Sequence, residues 1–306
     1  MASKTVYSNF NPIRLLAQSN PPTQEHKATA RSHAHKRLST RYGPWAVVTG
    51  ASSGIGREIA LQLAKAGLNL VLVARSQQVL EEMAADFATR FSIETQVLAI
   101  DLAQETAIGR VEAETDDLDV GLLVAAAGFG TSGPFLNTSL DQELDMLNVN
   151  CRALVGHCLY FGQRFAKRGR GGIVLMSSIV GFQGLPNAAH YAATKAYVHT
   201  LAEALNVELA PQGVDVLASA PGPTNSGFAD RADMRMGATL KPTDVAQGTL
   251  DALGRRAVVL PGLLSKFLTY ALIPLPRSAR VRIMGRIMHG MTKHQHTEQQ
   301  LHLNKQ

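Results

Sequence analysis

The spacing of hydrophobic positions changes repeatedly along this chain. Short apolar runs rich in Val, Leu, Ile and Ala occur at 42–49, 68–74, 96–100, 120–125, 173–177, 214–219 and 257–260. Runs of that length without polar alternation read as strands buried on both faces. Helix-period segments separate them, among them 57–66 closed by Gly67, 140–167 and 190–209. Strands alternating with helices of about a dozen residues predict an α/β domain built on a doubly wound parallel sheet of about seven strands with right-handed crossovers. The pattern places this single domain at 43–261, between a basic extension at 1–42 and a helical one at 262–306. In such sheets the loops beyond the strands' C-terminal ends form the site. Gly54, Arg75, Asp101, Gly128, Ser178 and Pro221 all fall in those loops.

The first run leads into Gly50-Ala51-Ser52-Ser53-Gly54-Ile55-Gly56, and a helix pattern follows at once. Strand, glycine turn and helix in that order make a phosphate cradle of the Rossmann type. Glycines admit close backbone approach to a diphosphate, and a helix N-terminus offers unpaired N–H groups and partial positive charge. Taken alone, the turn is equally an ordinary tight strand–helix connection. The second strand ends at Ala74-Arg75-Ser76, where an NAD-selective unit would carry an acid for the ribose 2′-hydroxyl. A guanidinium there suits a 2′-phosphate, so NADP(H) is favoured and NAD(H) is the lesser expectation. The alternative is a solvated arginine at a helix start, mildly unfavourable beside the positive helix end.

Tyr191 and Lys195 stand four residues apart on a predicted helix, with Ser178 thirteen residues before the tyrosine. One helix face brings phenol and ammonium together, and the cation would draw a phenol pKa of roughly 10 towards neutrality. Carbonyl reduction needs donors at the developing oxyanion and a proton to deliver, and Ser178 and Tyr191 can supply both.

Together these motifs resemble the short-chain dehydrogenase/reductase superfamily over about residues 43–261. The matching residues are Thr49-Gly50-x-x-x-Gly54-Ile55-Gly56, Asp101, Asn150, Ser178, Tyr191-x-x-x-Lys195 and Pro221-Gly222, in order and spacing. The resemblance implies an NADP(H)-dependent carbonyl reductase or alcohol dehydrogenase. Tyr191 would be its acid/base and Lys195 would tune the phenol and bind the nicotinamide ribose. Ser178 would hold the substrate carbonyl, and Asn150 would support a proton-returning water chain. It also implies cofactor contacts from Thr49, Gly50, Ser52, Ser53, Gly54, Ile55, Gly56, Arg75, Asp101, Leu102, Ala126, Gly128, Asn150, Tyr191, Lys195, Pro221, Gly222 and Thr224, and a homo-oligomer. One departure stands out: Ala125-Ala126-Ala127-Gly128 replaces the Asn-Asn-Ala-Gly of many relatives, removing side-chain support for that loop. The stretch 42–50 also looks like the branch of 17β-hydroxysteroid dehydrogenases and 3-oxoacyl-CoA reductases, which suggests an apolar ketone.

Charge sharpens the division into segments. Each end, 1–42 and 262–306, carries seven Lys/Arg and one Glu, whereas the region between has 16 bases and 22 acids. The overall +6 therefore belongs to the ends and is no argument for nucleic-acid binding by the domain. The first 42 residues lack an apolar period, which predicts disorder; their scarcity of acids also fits an organelle-targeting segment. With no apolar run of membrane-spanning length, a cytoplasmic protein is expected. Near the other end, Val281, Met284, Met288 and Met291 fall on one helical face, and Arg282, Arg286, His289 and Lys293 on another. That stripe either packs on the domain beside the substrate entrance or lies on an anionic membrane.

Cys151 and Cys158 sit on one predicted helix about 10 Å apart, beyond disulfide reach, and read as buried thiols. The histidines of the polar ends, His26, His33, His35, His294 and His296, lack convergent partners, so no metal is expected. A non-catalytic NADP-binding regulator and a membrane-surface 3-oxoacyl or steroid reductase are the competing readings. An intact Ser178, Tyr191 and Lys195 disfavours the regulator, which would need no proton donor.

Overall fold

The computed structural model describes residues 35–303. Its first element corrects an expectation: residues 35–42 form a helix, α1, inside the segment read as disordered. Leu38 and Tyr42 are buried in it, and Arg37 donates to the carbonyls of Leu250 and Leu253 at 2.7 and 2.6 Å. Arg41 and Tyr42 both bond the Asp215 carboxylate. These partners lie far along the chain, so no local pattern could announce the helix. Disorder and targeting of residues 1–34 lie outside the described residues.

The sheet forms as the apolar runs demand. In chain order the elements are β1 (Trp45–Thr49), α2 (Gly54–Lys65), β2 (Asn69–Ala74), α3 (Gln77–Phe91), β3 (Thr95–Ala99), α4 (Ala107–Ala113) and β4 (Val120–Ala125). There follow α5 (Leu140–Leu147), α6 (Leu154–Arg168), β5 (Gly171–Met176), α7 (Ala189–Leu209) and β6 (Val214–Ser219). The chain closes with α8 (Phe228–Arg231), α9 (Pro242–Ala252), β7 (Val258–Val259), α10 (Gly262–Tyr270) and α11 (Arg277–Leu303). All seven strands pair in parallel in the order β3-β2-β1-β4-β5-β6-β7. The order reverses between β1 and β4, which opens a crevice above their C-terminal ends.

Alternate strand residues serve two cores. Val48, Leu70 and Leu72 pack with Ile59 and Leu63 of α2 and Leu80 and Phe87 of α3. Val47, Val71 and Val73 pack on the opposite face with Val111 of α4, Phe161 and Phe165 of α6 and Val198 of α7. Burial on both faces is why the central strands are continuously apolar.

The single helix expected over 140–167 is interrupted. Between α5 and α6, Asn148–Ala153 form a π-helical turn. A wider turn inserts a residue and re-aims the helix beyond it, a device common beside functional sites. Cys151 and Cys158 are free and buried, and burial pushes the Cys158 thiol up to about 12.

At the C-terminal end, Met284, Met288 and Met291 pack on Leu185, Ala188 and Ala192, while Arg282, Arg286, His289 and Lys293 face outward. The apolar stripe is thus seated on the domain. Among the described residues, no helix is long and apolar enough to cross a membrane, and no group of three or more His, Cys, Asp or Glu could hold a metal. His294 instead bonds Asp233 at 2.9 Å.

Candidate active site

A cavity of about 700 Å³ lies over the C-terminal ends of the central strands and runs beneath α10 and α11. Its floor begins with the β1–α2 turn, where Gly50, Ser52, Ser53, Gly54, Ile55 and Gly56 line it. Ser53, at the N-cap of α2, is extended and makes no side-chain cap, and the first turn holds no acid. The first-turn N–H groups therefore receive no capping acceptor, and the positive helix end is unneutralised. Gly54 has φ +56°, and a Cβ there would come within 2.8 Å of the Ser226 Cβ. Only glycine allows both that conformation and that approach.

Arg75 lines the cavity at the end of β2, beside an α3 that likewise has neither a side-chain cap nor a first-turn acid. Asp101 and Leu102 after β3, and Ala126 and Gly128 after β4, complete this half. Asp101 also braces its own loop by accepting from the Ala103 N–H at 3.1 Å.

Thr49 departs from expectation. It is buried and does not line the cavity; its hydroxyl accepts from the Ala127 N–H at 3.1 Å and lies 3.5 Å from the Val124 carbonyl. Its hydroxyl thereby supports the β4 loop. That bond holds the Ala-Ala-Ala-Gly loop from beneath, although the asparagine usual in relatives is missing.

Asn150 also stands behind the wall. From the π-helical turn its Nδ2 donates to the Phe129 carbonyl (2.9 Å) and to Thr194 Oγ1 (3.0 Å), while its Oδ1 accepts from the Phe129 N–H (3.1 Å). It does not line the cavity. These bonds occupy both amide hydrogens and clamp the β4 loop to α7, making Asn150 a positioning residue in the protein's own geometry.

The reactive side chains converge on the next wall. Ser178, just beyond β5, donates to the Pro221 carbonyl at 3.3 Å and receives a long bond from the Val180 N–H at 3.4 Å. Tyr191 and Lys195 lie one turn apart on α7 and line the same cavity, with Lys195 Nζ 5.8 Å from the tyrosine ring centroid. The ammonium donates to the Met176 carbonyl at 2.9 Å. Burial draws the Lys195 pKa down to about 8, opposed in part by Cys151.

For Tyr191 the balance differs from the sequence expectation. Burial pushes the phenol upward and the Ser178 hydroxyl offsets only part of the rise. The phenol packs beside Phe228, ring centroids 5.1 Å apart, and against the cluster of Leu185, Ala188, Ala192 and Met288. In that apolar enclosure desolvation disfavours the phenolate.

Pro221, Gly222 and Thr224 line the cavity beyond β6. The Gly222 N–H donates to Ser265 Oγ of α10 at 2.8 Å, and Thr224 donates to the Gly222 carbonyl at 2.9 Å. The C-terminal extension thereby braces a core loop.

Several neighbours stand outside the matched motifs, although Arg231 is one of the few charged residues in the segment that follows β6. The Arg231 guanidinium sits 4.0 Å over the Phe129 ring, and burial followed by nearby Arg75 lowers its pKa. Glu143 accepts from Thr131 at 2.8 Å and pairs with His190 Nδ1 at 2.5 Å, tying α5 to the residue before Tyr191. Each contact joins segments whose local patterns carry no trace of the other.

The donor set fits a nicotinamide dinucleotide: a glycine cradle at an uncapped helix start, an arginine beyond β2, and a lysine on the wall that carries the tyrosine and serine. The short chain dehydrogenase family profile matches residues 44–236. A 7beta-hydroxysteroid dehydrogenase of Clostridium sardiniense is 32% identical over 230 residues, covering 74% of this chain and 88% of that protein. A very-long-chain 3-oxoacyl-CoA reductase of Phaeosphaeria nodorum is 38% identical over 180 residues, 57% of this chain and about half (53%) of that protein. A short-chain dehydrogenase from Sphingobium yanoikuyae, solved in complex with NADPH, superposes with a TM-score of 0.70 at 31% identity, covering 76% of this chain and 93% of that one. Fold, site and relatives agree, and the chain belongs to the short-chain dehydrogenase/reductase family of oxidoreductases.

Proposed function

We propose that this protein is an NADP(H)-dependent reductase that interconverts an apolar ketone and its secondary alcohol, with Tyr191 as the acid/base. The observation that carries the reading is the meeting of Ser178, Tyr191 and Lys195 on one cavity that Met234, Leu264, Leu268 and Met284 also line. The polar groups thus open onto a chamber lined largely by apolar side chains, and that favours bulky, weakly polar carbonyl compounds. The activities for which the relatives are named, on a hydroxysteroid and a very-long-chain 3-oxoacyl thioester, point the same way.

The Gly50–Gly56 turn and the start of α2 would hold the cofactor diphosphate. Arg75 would take the 2′-phosphate, Asp101, Leu102 and Ala126 would border the adenine, and Lys195 and Thr224 would face the nicotinamide half. NADP(H) is preferred over NAD(H) because a guanidinium, and no acid, ends β2. When bound, the nicotinamide supplies or accepts the hydride. Ser178, its hydroxyl turned from the Pro221 carbonyl, donates a hydrogen bond to the substrate oxygen and aligns it with the phenol. Tyr191 delivers its proton there as negative charge develops, and its raised pKa keeps it protonated at neutral pH, the form reduction requires. Lys195 stabilises the phenolate left behind. Asn150 holds Thr194 and the β4 loop so that these groups keep their spacing, and a proton-returning water chain would begin beside it.

The same reading includes a cytoplasmic location and a homo-oligomer. The outer face of α5 and α6 supports self-association, because Leu140, Leu144, Leu147, Val155 and Leu159 are all exposed along it. Following NADPH oxidation with steroidal, long-chain 3-oxoacyl and short aliphatic ketones tests the proposal. Turnover of bulky apolar ketones with little of short ones is expected; NADPH oxidation by none of them would overturn it.

A further inference from the structure

The C-terminal extension has a second apolar set that its packing leaves uncovered. On α10 the inner residues are Ser265, which holds Gly222, and Leu268, which packs near Ile179, Ala220 and Leu260. The outer residues are Leu263, Phe267 and Tyr270, exposed by 83%, 69% and 58%, followed by Ile273 at 53%. On α11, Ile287 is 42% exposed, although the methionines beside it are seated on the domain. Phe267 and Ile287 both also line the cavity, so the exposed patch and the chamber share a rim.

The Lys, Arg, Asp and Glu residues that α10 and α11 themselves bring to this face, up to residue 295, have one sign. Residues 262–295 contain Lys266, Arg277, Arg280, Arg282, Arg286 and Lys293 and no Asp or Glu. Lys266, Arg277, Arg282, Arg286 and Lys293 are exposed and Arg280 is partly so. A second copy meeting this face symmetrically would set cations against cations. A bilayer surface with anionic headgroups offers the complement, taking apolar and aromatic side chains into the interfacial region and cations at the phosphates.

We infer that the α10–α11 face docks on an anionic lipid surface with the substrate mouth turned towards it, so that an apolar ketone enters from the lipid without crossing water. The sequence posed packing and membrane contact as alternatives for the stripe of Val281, Met284, Met288 and Met291; the structure assigns packing to the methionines and leaves a different set for the lipid. The inference about substrate entry rests on reading the cavity as the substrate site, whereas docking itself does not.

The test therefore separates binding from turnover. Full-length protein is co-sedimented with phosphatidylcholine vesicles and with phosphatidylcholine/phosphatidylglycerol vesicles at low and high salt. Two variants are compared, Leu263→Ser/Tyr270→Ser/Ile273→Ser and Arg282→Glu/Arg286→Glu, none of whose positions lines the cavity. Binding to anionic vesicles, weakened at least tenfold by salt and by either variant, is expected. Turnover of a water-soluble ketone should stay unchanged in both, while apparent KM for a ketone presented in anionic vesicles rises several-fold. Wild-type protein that ignores anionic vesicles, or variants that bind as well as wild type, would overturn the docking. Concentration-dependent self-association abolished by the triple variant, without vesicle binding, would also overturn it and make the face a contact between copies. Absence of turnover with normal vesicle binding would refute the proposed activity and leave the docking standing.

Discussion

Replacing Tyr191 by Phe deletes one phenolic oxygen from the wall of the cavity and almost no volume. No other side chain on that wall can take over: Ser178 is an alcohol, far too weak an acid to replace a phenol, and Lys195 is directed at the Met176 carbonyl. A positioned general acid contributes about 10²- to 10⁴-fold to rate, which corresponds to about 2.7–5.5 kcal/mol of transition-state stabilisation. Ring packing on Phe228 is retained, and folding stability should move by less than about 1 kcal/mol. Single-turnover hydride transfer, followed at the nicotinamide absorbance, should fall by that factor in kcat. NADPH affinity, measured by fluorescence titration, should stay within about twofold because Tyr191→Phe leaves the glycine turn, Arg75 and Lys195 in place. A variant that keeps more than about a tenth of wild-type turnover on a confirmed ketone would show that another group carries the proton.

Arg75→Ala should weaken NADPH binding by about tenfold or more and leave NADH nearly unchanged, since a charge-assisted contact contributes about 1.5–3 kcal/mol; equal losses in isothermal titrations would remove the basis for preferring NADP. Asn150→Ala removes three buried hydrogen bonds between Phe129, Thr194 and the π-helical turn, and should lower stability by about 2–4 kcal/mol in urea melts. Its kcat should also fall, because Thr194, next to Lys195 on α7, and the β4 loop lose their common support. His157 is buried, its Nε2 has no hydrogen-bond partner among the described residues, and burial lowers its pKa from 6.5 to about 4. The unfolded chain therefore takes up this proton first as pH falls below 6.5, so stability is lost between pH 6.5 and 4, by about 3 kcal/mol in full. His157→Leu should flatten that part of the stability–pH curve; an unchanged slope would mean that other groups set it.

Much of the architecture was legible because its causes are local. Seven apolar runs, the central five buried on both faces, announce a parallel sheet in any context, and a glycine turn between strand and helix needs only its own backbone freedom to be recognised. The spacing of Tyr191 and Lys195 likewise follows from one turn of helix. Boundaries were less secure: the π-helical turn at Asn148–Ala153 hides inside an unbroken helical pattern, because hydrophobic periodicity does not register one inserted residue. Helix α1 was invisible because Arg37, Arg41 and Tyr42 find their partners on α9 and beyond and on β6.

What the sequence determined by itself was which chemical groups are present and on which strand ends they stand. Only the tertiary structure decided which of them face the cavity. Thr49 and Asn150 carry the motif yet bond backwards into the β4 loop, while Phe228 and Arg231, outside every motif, reach over it. The phenol's acidity was decided there too: a lysine four residues away argues for a lower pKa, but the apolar residues that surround Tyr191 come from α8, α11 and the loop before α7. Desolvation depends on everything packed around a group, wherever it lies in the chain, and no spacing of residues along one helix encodes it.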